Sequence, residues 1–358
     1  MKTAVEIRGT QFWINGKPTY EGRAFEGKPV EGLLFNSRMA QAIFDDENPK
    51  TRTLWAYPDT GEWNAQRNTD EFCAALPAYR RHGLLGVTVG LQGGGSIYSP
   101  DVYDQYICSA YEPDGAFRPA YFERLRQVLE AADQCGMVVI VNYFYWKQAA
   151  RLESSKIIEQ VAERVSGWLL ASGYRNILVD VVNEAGVGKG LDPLLTPERV
   201  DRLVEIVQNT KRDGRRLWVG ASSGGCDALP SGRWAELEDL SMPHGNFCTP
   251  DQLSEKLRKL KASPAYRARP RPVLINEDTI FVENLDAAFA EGCSWGFYCQ
   301  GYGSDYQDRF NWKAKPREKE YSELSGYQTL PVNWGINTGM KRAFFDRVAE
   351  ITGACPDK

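Results

Sequence analysis

Eight apolar, β-branched runs recur along this chain, most are followed by an amphipathic helical pattern, and most crossovers between runs are ten or more residues long. Such runs joined by such crossovers predict parallel strands, because antiparallel neighbours need only short turns. The predicted class is therefore α/β, a (β/α)8 barrel preceded by an N-terminal β-hairpin. Its 358 residues exceed the roughly 250 that such a barrel takes. The surplus is assigned to the hairpin and to loops after the first, second and eighth strands.

Residues 1–31 are read as a hairpin extension packed on the barrel, and 32–358 as the catalytic barrel. Phe12-Trp-Ile-Asn-Gly-Lys-Pro-Thr-Tyr20 alternates around Asn15-Gly16, a strong hairpin signal. Gly32-Leu-Leu-Phe-Asn36 is the first strand, followed by an aromatic loop and a helix predicted from Thr69 to His82. The second strand is Leu84–Gln92. The helix after it starts at Pro119 and stops at Gly136, a residue suited to the left-handed helix end.

Met137–Trp146 is the third strand, with a helix over about 155–171. The fourth is Asn176-Ile-Leu-Val-Asp-Val-Val-Asn-Glu, after which Thr196-Pro-Glu predicts a capped helix reaching Asp213. Arg216–Ser223 is the fifth strand, with a short helix near Gly232–Glu238. The sixth, Asp239–Asn246, is the weakest because it contains Pro243. Thr249-Pro-Asp-Gln caps the next helix to Ala262, Arg271-Pro-Val-Leu-Ile-Asn-Glu-Asp278 is the seventh strand, and a helix over 284–291 follows it. Ser294–Gln300 is the eighth, and a helix over 337–351 closes the chain.

Composition narrows the function. Hydrophobic residues at 42% and charged residues at 25% are ordinary for a globular chain with a sizeable core. A net charge of -4 without a basic stripe argues against nucleic acid. No apolar run nears the roughly 20 residues of a membrane span, and Met1-Lys-Thr-Ala-Val-Glu-Ile-Arg-Gly lacks a signal-peptide core, so a soluble protein, cytoplasmic rather than secreted, is expected. The eight cysteines show no CxxC and are read as reduced structural thiols. With only His82 and His244 present, no metal and no cofactor are expected. Oligomeric state is not legible.

In such a barrel the C-terminal ends of the strands carry the chemistry. Two of them end in Asn-Glu, Asn183-Glu184 on the fourth and Asn276-Glu277 on the seventh. The remaining strand ends supply Arg38, Gln92, Tyr145, Trp146, His244, Asn246 and Trp295 as candidate substrate-binding residues. Trp55, Trp63, Trp312 and Trp334 fall on adjoining loops. Aromatic faces for sugar C–H surfaces, with amides, carboxylates and arginine for hydroxyls, fit a carbohydrate as partner.

On these residues the sequence resembles the clan of retaining glycoside hydrolases that includes the family 5 cellulases and mannanases. The resemblance covers about residues 32 to 353 and rests on Asn183-Glu184, Glu277, His244 and Trp295. It implies Glu184 as general acid/base, Asn183 on the sugar 2-hydroxyl and Glu277 as nucleophile, with Asp278 as the alternative nucleophile. The Phe12–Tyr20 segment also looks like the hairpin preceding the barrel in several relatives. The third strand departs from family 5, offering Asn142-Tyr-Phe-Tyr-Trp146 where a histidine is usual. Glu184 is expected to have a raised pKa from burial and from Glu277, while Asn276 or His244 keeps Glu277 ionised. The other readings are a barrel that binds carbohydrate without turnover, and a different barrel hydrolase or lyase, which two histidines and no ladder of acidic ligands disfavour.

Overall fold

The computed structural model describes residues 1–94, 105–188, 190–300, 322 and 326–356. Six parallel strands form one sheet. In barrel order the first five are Asn36–Arg38, Gly86–Gly90, Val138–Tyr145, Ile177–Asn183 and Trp218–Gly220, and the eighth, Gly296–Phe297, pairs with the first. The fifth continues as Ser222–Ser223, which pairs in parallel with the sixth, Met242–Pro243. Parallel bridges from Ser241 to Val273 and from Leu274 to Ser294 bring in the seventh and close the ring. The barrel is an eight-stranded (β/α)8 fold. Its sixth strand is short where Pro243 removes a ladder donor.

A helix follows every strand: Ala65–Arg81, Pro119–Cys135, Ser155–Ser172, Val200–Asn209, Gly232–Leu237, Pro250–Ala262, Val282–Ala290 and Gly339–Thr352. Two starts differ from expectation by three residues or more, and those at Val282 and Gly339 by two. The first helix begins at Ala65, because the Asn64 side chain accepts from Arg67 N and caps it there. The fourth begins at Val200, because Thr196 ends a 3-10 turn over Pro193–Leu195 instead of capping the helix, and it stops at Asn209. Thr249 and Gln252 do form the expected reciprocal capping box. No helix among the described residues is long and apolar enough to cross a membrane.

Period-two alternation divides the barrel interior into layers. Leu34, Leu85, Val138, Ile140, Leu178, Leu240, Met242 and Leu274 form an apolar cluster at the N-terminal end. Asn142, Asp180, Ser222 and Asn276 stand further along the same strands and form a hydrogen-bonded layer. Charged groups take the C-terminal end. Against the apolar floor lie Val5 and Phe12 of a three-stranded antiparallel sheet made by Val5–Arg8, Gln11–Ile14 and Lys17–Pro18. Asn15-Gly16 makes its second turn, both residues at positive φ, as the sequence predicts. A further turn at Gly9 adds the third strand. Phe12 is fully buried as the stopper of the barrel floor, so Phe12→Ala is expected to cost about 3–5 kcal/mol, read as a lowered denaturant midpoint at unchanged slope.

Candidate active site

Glu184 stands one residue past the fourth strand in the left-handed region at φ 54, a conformation unusual for glutamate. The Ser222 hydroxyl accepts from Glu184 N at 3.0 Å and lies 3.1 Å from Asp180 Oδ2, so the strand-five neighbour fixes the turn. Glu277 arrives from the seventh strand, whose carbonyl at this residue accepts from Gly245 N. The two carboxylates face each other, with one oxygen of each and one His244 ring nitrogen all within 4.8 Å. The Glu184 side chain keeps 17% of its surface exposed and Glu277 only 6%, so Glu277 lies deeper.

Each carboxylate has its own partners. Arg38, at the end of the first strand, puts Nε 2.7 Å from Glu277 Oε2, and Asn246 Nδ2 donates to Glu277 Oε1 at 3.0 Å. Burial works against the Arg38 charge, yet Glu277 beside it holds the guanidinium above its ordinary pKa. His244 Nδ1 lies 3.1 Å from Glu184 Oε1 and 3.6 Å from Glu277 Oε2. Burial pushes the imidazole down to about 3, so the ring is neutral. A neutral ring donates to an ionised Glu184 or accepts from a protonated one, according to its tautomer. Burial also raises Glu184 above the usual carboxylate range, against the opposing fields of Arg38 and Lys256. Asp180 below is pushed up to about 6 by burial and accepts from Ser222 and Asn276.

Of the residues singled out from sequence, Arg38, Glu184, His244, Asn246 and Glu277 come together in one cluster. Asn183 is buried at the end of the fourth strand with its side-chain oxygen unpartnered, as are Asn246 Oδ1, His244 Nε2 and an Arg38 amino nitrogen. Tyr145 and Trp146 are half-buried, their rings 5.7 Å apart. Gly188, at φ 115, lets the fourth-strand loop cross the Trp146 ring, where a Cβ would come within 2.8 Å.

Two candidates lie elsewhere than expected. Gln92 spends its amide on the protein, donating to Ser109 Oγ at 3.1 Å and accepting from Tyr145 N at 3.0 Å, so it braces the second loop. Trp295 is fully buried at the start of the eighth strand rather than on the rim, donating to Asp278 Oδ2 at 2.5 Å and packing on Phe344. The Asp278 carboxylate also accepts from Asn284. Glu277 and Asp278 are adjacent but take different partners, Arg38 and Asn246 for the first and Trp295 and Asn284 for the second. The loop tryptophans are likewise internal. Trp55 donates to Asp46, Trp63 to Asp45 and Trp334 to Asn68. Trp312 lies outside the described residues. Asn276, expected to serve Glu277, donates to Asp180, and Asn246 and Arg38 take that task.

Sequence reasoning missed Ser222 and Lys256. Ser222 carried no signal, but Lys256 did: it takes a seat in the apolar stripe Leu253, Leu257 and Leu260 of its helix. Glu184, His244 and Glu277 are also the described residues nearest to a metal-ligand set. The Arg38 guanidinium at 2.7 Å already neutralises Glu277, which makes the trio a poorer match to a divalent cation than to acid–base work.

A closed parallel barrel with two facing carboxylates at its C-terminal end defines the structural class. No family model and no curated protein matches the sequence. Solved structures do resemble it. A family 5 mannosidase from Rhizomucor miehei aligns at TM-score 0.55 with 11% identity, covering 98% of both chains. An endo-1,4-β-mannanase from the same organism aligns at 0.54 with 10% identity, over 98% of this chain and 99% of that one. An exo-β-1,4-mannosidase from Opitutaceae bacterium strain TAV5 aligns at 0.54 with 14% identity, over 92% of this chain and 61% of that one. At these identities the likeness establishes the barrel architecture, shared with glycoside hydrolases.

Proposed function

We propose that this protein is a retaining glycoside hydrolase that cleaves a β-linked glycoside or oligosaccharide by double displacement. The observation that carries the reading is the spacing of the carboxylates, whose nearest oxygens lie within 4.8 Å. Retaining pairs stand about 5–5.5 Å apart, whereas inverting pairs need about 6.5–9.5 Å to admit water between carboxylate and sugar.

Glu277, held by Arg38 and Asn246, attacks the anomeric carbon as the glycosidic bond breaks, and the leaving oxygen takes the proton of Glu184. The result is a glycosyl ester on Glu277 and a Glu184 carboxylate. Glu184 then removes a proton from water, whose oxygen attacks the anomeric carbon and releases Glu277. The raised pKa of Glu184 suits the first step, because an ordinary glutamate is ionised at neutral pH. The side-chain oxygens of Asn183 and Asn246 have no protein partner, and Asn183 is assigned to the sugar 2-hydroxyl.

The solved structures with this architecture include mannosidases and a mannanase, so β-mannosides head the list of substrates to try. The test is intact-protein mass after incubation with activated 2-deoxy-2-fluoro glycosides. A stable adduct that maps to Glu277 and is absent in Glu277→Ala is expected. Hydrolysis with inverted anomeric configuration, followed by NMR, would overturn the retaining mechanism.

A further inference from the structure

Lys256 is a lysine where the fold calls for a leucine. Leu253, Lys256, Leu257 and Leu260 are the buried positions of the helix Pro250–Ala262, with the spacing of a core-facing stripe. Placing an ammonium there costs several kcal/mol unless its donors are used. Only 3% of the residue is exposed, and Nζ donates to Gly224 O at 3.0 Å and to His244 O at 2.7 Å. Among the described residues no carboxylate pairs with it within 4.0 Å, and its hydrogen bonds go to main-chain carbonyls.

Those two carbonyls belong to the exits of the fifth and sixth strands, where the ladder is thinnest. The sixth strand is two residues long, and Pro243 has no N–H to give. His244 follows it directly. Its own N–H donates to Ser223 O at 3.1 Å, its carbonyl is held by Lys256, and its ring lies between Glu184 and Glu277.

We propose that Lys256 is the positioning residue of this site, tying the exits of strands five and six together so that His244 stays between the two carboxylates. Its charge also acts on Glu184. Glu184 faces Arg38 from strand one, His244 from strand six, Glu277 from strand seven and Lys256 from the sixth helix, with Asp180 on its own strand. Lys256 faces Cys226, Cys248 and Asp278 as well as Glu184, and burial pushes it down to about 8. Its positive charge favours ionised Glu184, the form needed to activate water in the second displacement. That part rests on the glycosidase reading, whereas the hold on His244 does not.

The experiment is imidazole NMR of the histidine-labelled full chain, in which only His82 and His244 contribute. His82 Nδ1 lies 2.8 Å from Ala78 O at the end of the first helix, remote in sequence from the site, and is assigned with His82→Gln. In Lys256→Met the His244 ring signals are expected to shift or broaden while those of His82 stay. Leu257→Ala, from the same stripe, lowers Tm but leaves His244 in place. His244 signals in Lys256→Met that coincide with wild type overturn the proposal. If Lys256→Met does not fold, Lys256→Gln serves, which keeps a donor but is shorter and uncharged: the His244 ring signals are again expected to shift while those of His82 stay. His244 signals in Lys256→Gln that coincide with wild type overturn the proposal.

In turnover, Lys256→Met should lower kcat about tenfold with KM within about twofold, and move the basic limb of activity to higher pH. Leu257→Ala should leave that limb unmoved. A wild type that neither turns over nor is labelled by any glycoside defeats the glycosidase reading, and the ring signals still decide the role of Lys256.

Discussion

Glu277→Ala is expected to lower kcat/KM on the order of 10⁵-fold, because a double displacement without its nucleophile loses the covalent step entirely. The same change has a second, structural consequence. Arg38 is buried with its Nε 2.7 Å from Glu277, and removing the carboxylate leaves a guanidinium without its charge partner. Breaking a buried pair in this way costs about 3–5 kcal/mol, so the variant should also show a lower Tm. Glu277→Gln keeps the shape and an oxygen for Asn246 but not the charge, and should be as inactive. Comparing the two separates the cavity from the lost ion pair. An Ala variant that retains more than a few per cent of activity excludes Glu277 as nucleophile. Asp278 offers no ready replacement, because its carboxylate is engaged by Trp295 and Asn284.

Glu184→Ala is expected to lose about 10²–10⁴-fold, and the size of the loss should depend on the leaving group. A substrate with an acidic phenol as leaving group needs little protonation, so its first step survives and the glycosyl-enzyme accumulates. An alkyl glycoside should be nearly inert. The pH profile supplies the sign. Burial raises the Glu184 pKa, and the protonated form is the active one in the first step, so kcat/KM holds below that pKa and falls as pH rises through it. In wild type this basic limb should therefore lie above the range of an ordinary glutamate, and in Glu184→Ala it should vanish. A basic limb that persists unchanged in the variant assigns the acid to another residue. The expected help from the Glu277 charge is not needed for this shift, since burial is the cause that raises Glu184 and Arg38 opposes it.

Much of the architecture was legible because it depends on local periodicity. Each run such as Val138–Tyr145 or Ile177–Asn183 is mainly apolar and buried on both faces, and Gly136 and Gly353 end their helices in the left-handed conformation that glycine adopts most readily. Boundaries failed where a competing local bond won. Asn64 capped the first helix one turn early, and Thr196 closed a 3-10 turn instead of opening the fourth helix. The aromatic residues failed for a different reason. Trp295, Trp55, Trp63 and Trp334 were read as a rim from their order in the chain, yet each has a buried carboxylate or amide to receive its indole N–H. Composition cannot distinguish a ring that waits for a sugar from one that fastens a loop.

The sequence by itself determined the strand count, the helix that follows each strand and the two Asn-Glu strand ends, because residue period and chain order are written in it. Only the tertiary structure decided that Asn246 and Arg38 serve Glu277, that His244 lies between both carboxylates, and that Lys256 reaches His244 from a neighbouring helix. These contacts join residues separated by 12 to 239 positions, for 256 − 244 = 12 and 277 − 38 = 239. Closing the barrel sets such distances, and no periodicity along a single strand contains them.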